Sequence, residues 1–173
     1  EVGRARELSQ TADAEAQRLY WLKLDDLAHD IAESLERMDR GAEIDGSGSS
    51  DSKTIYLAET SFDMRDARDV VRRELLGHGH VVLPDRPLPL VGKECEQSVK
   101  DELSKASLSI HLIGRNYGLI PEGAKDSIVV IQNELAIARG EHGPFSRHVW
   151  LPPDFSSEEE KQLQFVDRLQ TDV

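Results

Sequence analysis

Glu134 is the one carboxylate in the segment SIVVIQNELAIAR, Ser127 to Arg139, where every other residue before Arg139 is aliphatic, small or an uncharged amide. A carboxylate held against apolar neighbours is costly unless paired, and such a position is where an acid with a shifted pKa becomes chemically useful. At about 100° per residue, Ile128, Ile131, Leu135 and Ala138 form the expected buried side of a helix here. Glu134 then projects about 60° from Ile131, at the border of the core. The plainer alternative is a rim glutamate paired with Arg139 or Lys125.

Other residues with chemical potential fare less well. The pair His78 and His80 in LGHGH has no further His or Cys at supporting spacing, so a helix-to-strand turn explains it better than a metal site. Cys95 lies on the apolar stripe of a helix and reads as core. The run SEEEK places acids at the positive end of a helix dipole, which is ordinary solvated surface. Dinucleotide binding through a glycine fingerprint fails, because the turn after the first strand reads AETSFD. No phosphate-binding P-loop is present. A phosphoacceptor aspartate at the end of the third strand is also missing, since Gly114 and Arg115 stand there.

The elements that must position Glu134 follow from periodicity. Apolar residues from Ala16 to Met38 recur at helical intervals, giving a long amphipathic helix within residues 1–40. GAEIDGSGSSDS, within 41–52, reads as a flexible linker, and 53–173 form the main domain. In that domain short aliphatic runs alternate with helical ones. Strands are expected at 54–59, 80–85, 108–114 and 148–153. Helices are expected at about 61–76, 94–106 and 127–140, with a last one after Ser156 or Ser157. The βαβαβαβα order implies an α/β, flavodoxin-like three-layer sandwich with a central parallel sheet. Ligands in such sheets bind at the carboxyl ends of the strands.

Composition narrows the classes. A formal charge of −12 and a pI near 4.9 disfavour direct binding to nucleic acid or anionic membranes. One cysteine excludes an internal disulfide framework and suits a reducing, cytoplasmic compartment. No apolar run approaches the roughly 20 residues that span a bilayer.

From Lys53 to Pro153 the chain resembles a Toll/interleukin-1 receptor (TIR) domain of the divergent bacterial kind found in multidomain proteins. TIYLAETSFDMRDAR is similar to the family's first box. VLPDRPLPLVGKECEQSVKDELSKASLSIHLIG is similar to its second box and the elements beyond. The resemblance implies a signalling or antiviral-defence module that self-associates through TIR–TIR contacts and hydrolyses NAD+ to nicotinamide and ADP-ribose or its cyclic form. NAD+ would be substrate, with no cofactor or metal. Glu134 would be the catalytic acid, stabilising an oxocarbenium-like ribose. Ala58, Glu59 and Thr60 would face the nucleotide, while Asp85, Arg86 and Lys93 belong to the loop shaping the pocket. Arg86 and Arg115 would meet the pyrophosphate, and Tyr117 would stack on a ring. Val130 stands where active members often carry a tryptophan, and Glu59 and Thr60 replace basic residues. These departures favour a second reading, a catalytically silent interaction scaffold. The family's closing strand and helix are missing after QFVDRLQTDV, implying truncation at the last strand, and LYWLKLDDLAHDIAESLER resembles such a closing helix.

Overall fold

A computed structural model of the chain describes residues 52–171, all within one compact unit, Ser50–Val173. The expected N-terminal helix and all of the linker but Ser52 lie outside the described residues. Four strands form the sheet: β1 (Thr54–Leu57), β2 (Val81–Leu83), β3 (Leu108–Leu112) and β4 (Ser146–Trp150). Four helices follow them in turn: α1 (Arg65–Gly77), α2 (Gly92–Lys105), α3 (Ile128–Gly140) and α4 (Glu160–Thr171). A 3-10 turn, Phe62–Met64, leads into α1. No helix among the described residues is long and apolar enough to cross a membrane.

The strands are all parallel, in the order β2-β1-β3-β4. From β1 the chain steps one way to β2 and then the other way to β3 and β4. Right-handed crossovers therefore put α1 on one face of the sheet and α2 and α3 on the other. Alternation along the strands agrees with this. Tyr56, Ala58 and Leu83 pack with Cys95, Val99 and Leu103 of α2 and Ala136 of α3. β3 is buried at every position, as its near-continuous hydrophobicity requires of a strand covered on both faces.

Within the described residues the expected strands and helices all occur, displaced by a few residues at their ends. The buried side of α3 differs from expectation. Of Ile128, Ile131, Leu135 and Ala138 only Ile131 is buried, and Ala138 is exposed. Val129, Val130, Gln132, Asn133 and Ala136 are the other buried residues. The reason is that α3 lies between two packing partners. Ala136, with Ile128 and Leu135 in support, joins the α2 side, while Val129 and Val130 join Phe165, Val166 and Leu169 of α4. A helix flanked on two sides has no single apolar stripe, so a one-stripe reading assigns its faces wrongly.

Candidate functional site

The carboxyl end of β1 is tied down by two polar side chains that arrive from opposite faces. Gln132 of α3 is fully buried. Its Oε1 accepts from Tyr56 Oη and from Glu59 N, both at 2.8 Å. Its Nε2 donates to Glu59 O at 2.9 Å and to Ile128 O at 3.0 Å. Burial pushes the Tyr56 phenol well above its ordinary pKa, which keeps it a neutral donor to Gln132. From α1, Arg68 Nε donates to Ala58 O at 2.9 Å and Nη2 to Leu57 O at 3.1 Å. The same Nη2 lies 3.0 Å from Glu59 Oε1. The turn after β1 is thereby fixed through its backbone, and the Glu59 carboxylate is drawn toward Arg68.

A second clamp joins this turn to the loop after β3. Asp63 Oδ2 accepts from Arg115 N at 2.6 Å, and its Oδ1 accepts from Ser61 Oγ at 2.7 Å and Asn116 Nδ2 at 3.1 Å. Gly114 makes room for it: a Cβ there would collide with Asp63 Oδ2 and Met64 Cγ. The third junction pairs the loop after β2 with the loop after β3. Glu122 N donates to Leu90 O at 2.7 Å and Gly92 N to Glu122 O at 2.9 Å, forming a short parallel bridge at Val91 and Glu122. The paired segments leave Leu90, Val91, Leu119 and Ile120 exposed.

The residues expected to form one site are dispersed among these junctions. Glu134 is exposed, and its Oε1 pairs with Arg168 Nη1 of α4 at 3.3 Å. It is a rim glutamate bound to a cation, though that cation is neither Arg139 nor Lys125. Gln132 and Glu134 are two residues apart, so their side chains leave α3 about 200° apart. The position that faces the end of β1 is therefore Gln132, and Glu134 faces α4. Val130 is fully buried where α3 packs on α4. Tyr117 is also buried there, its hydroxyl bonded to Asp126 Oδ1 at 2.8 Å. Burial and that bond push its pKa up to about 12. Lys161 covers its ring at 5.4 Å, so the expected stacking face is already occupied.

Ala58 is core, and Thr60 keeps a buried hydroxyl without a hydrogen-bond partner. Arg115 pairs with Asp154 at 3.3 Å, while Asp85 and Arg86 pair with each other at 3.6 Å. Lys93 is exposed on the first turn of α2. Two of the cavities lined by described residues bear on these positions. One, of about 460 Å³, lies against the outer side of α4, and the other, of about 570 Å³, lies between the loop after β2 and α2. Asp85 and Arg86 line the second, and neither cavity takes in Glu134, Glu59, Arg115 or Tyr117. Among the described residues no group of three or more His, Cys, Asp or Glu is placed to hold a metal ion.

Gln132, Arg68 and Asp63 are the polar residues that organise the strand ends, and periodicity did not single them out. The available signal was that Gln132 and Arg68 are polar residues lying within apolar helical stripes. No family model matches the chain, and neither the curated proteins nor the solved structures give a match.

Proposed function

We propose that this unit is a catalytically silent interaction module of the TIR-like kind, which recruits another protein through the paired loops at the carboxyl edge of its sheet. The observation that carries the reading is the occupant of the inward position on α3. Gln132 uses both its acceptor and its donors there. A carboxylate at the same place could not donate to Glu59 O and Ile128 O. The acid that the NAD-cleaving reading requires, Glu134, stands on another side of the helix in a solvent-exposed ion pair.

Two features support recruitment. The loops are held by backbone hydrogen bonds, which lowers the ordering cost of binding. They also display four aliphatic side chains together, and an exposed apolar patch of that kind is characteristic of a contact surface.

Calorimetric titration of NAD+ into the full chain checks the silent half of this reading. No saturable heat is expected. Saturable binding that Glu134→Ala removes would instead place a nucleotide at Glu134 and support turnover.

A further inference from the structure

The loop after β2 sends its side chains in three directions. Leu88 is buried in the core beneath it. Pro84, Pro87 and Pro89 turn toward α2 and line the cavity of about 570 Å³, a volume within the ordinary range for ligand sites. Leu90 and Val91 face solvent, 60% and 43% exposed, beside the segment carrying Leu119 and Ile120 at 55% and 42%.

The charge of the cavity is one-sided. Asp85, Glu94, Asp101 and Glu102 line it against two cations, Arg86 and Lys105. Both cations are already bound to lining acids, Arg86 to Asp85 and Lys105 to Glu102. Four carboxylates less two cations leaves an excess of two negative charges. Glu102 is largely buried, and its Oε2 has no hydrogen-bond partner.

We infer that this face, an acidic proline-lined groove bordered by an aliphatic patch, docks a segment of a partner protein that carries lysine or arginine beside aliphatic residues. The inference rests on the interaction-module reading and names its partner class. Charge complementarity selects the occupant: cations enter the groove while aliphatic side chains cover Leu90, Val91, Leu119 and Ile120. Acidic peptides and nucleic acids are repelled here. A second copy of the chain brings the same net charge of −12 to the contact.

The test uses the full chain and a labelled peptide of alternating lysine and leucine, followed by fluorescence anisotropy. One control peptide has lysine replaced by glutamate and another has leucine replaced by serine. The lysine–leucine peptide should bind saturably and more weakly at high salt, and both controls should fail. The pair Glu94→Lys with Asp101→Lys should weaken binding about tenfold or more, as should Leu90→Ser with Ile120→Ser, each about 1.4 kcal/mol or more by the affinity scale. Equal charge reversal at the distant Glu141 and Glu158 should leave binding within about twofold.

Equal loss from the distant pair would overturn the inference, because it would show unspecific attraction to an acidic protein. It would also be overturned if Leu90→Ser with Ile120→Ser lowered the mass of the chain alone in light scattering, making a second copy the occupant. No peptide binding together with no NAD+ heat overturns this inference only, whereas saturable NAD+ heat lost in Glu134→Ala overturns the reading beneath it.

Discussion

Glu134 and Gln132, two residues apart on α3, sit in opposite environments. The ion pair of Glu134 with Arg168 is about half exposed on both sides, and pairs of that kind contribute about 0–1 kcal/mol. Gln132 is buried and completes four hydrogen bonds. Its removal leaves the fully buried Tyr56 Oη and the half-buried Glu59 N without that partner, at a cost of about 1–3 kcal/mol for a buried group left unpaired. Chemical denaturation should therefore separate the two residues. Glu134→Ala should shift stability by less than about 1 kcal/mol, and Gln132→Leu should lower it by about 2–4 kcal/mol. Equal and small effects would show that the α3 side chain facing β1 has been misassigned.

The strands and helices of residues 52–171 are largely legible in the sequence. Strands and helices announced themselves because a short aliphatic run and a 3.6-residue stripe are different patterns, and the α2 stripe of Cys95, Val99 and Leu103 is buried as read. The faces of α3 were not legible, because packing against both α2 and α4 removes the single stripe that periodicity relies on. Periodicity put Glu134 at the border of the core, whereas the buried polar residue of α3 facing β1 is Gln132, two positions earlier. β3 carries a further feature that hydrophobicity hid. His111 is buried, with Nε2 3.0 Å from Ser109 Oγ. Burial, and then the nearby Arg147 guanidinium, push its pKa down to about 3. The ring is neutral in the native state and protonated in the unfolded chain below about pH 6.5, so the unfolded state binds the extra proton and stability falls as pH falls. Between pH 6.5 and 5 this group alone should remove about 2 kcal/mol. Denaturation curves in that window should show the slope in the wild type and a reduced slope in His111→Leu; an unchanged slope would assign the effect elsewhere. His148, also shifted down by burial, supplies part of any slope that remains.

At the scale of the whole unit, the sheet topology concentrates the chain's crossover loops at one edge, where parallel α/β proteins place their function. Here that edge is braced throughout. Gln132 and Arg68 hold the turn after β1, Asp63 joins it to the loop after β3, and Glu122 joins that loop to the one after β2. Bracing of this kind suits a surface that presents a fixed shape to a protein. The proposed reading is a TIR-like scaffold without NAD-cleaving chemistry. Free nicotinamide released from NAD+ by concentrated full chain tests it most directly. Wild type and Glu134→Ala should both match the enzyme-free blank, and release by wild type that Glu134→Ala abolishes would contradict the account.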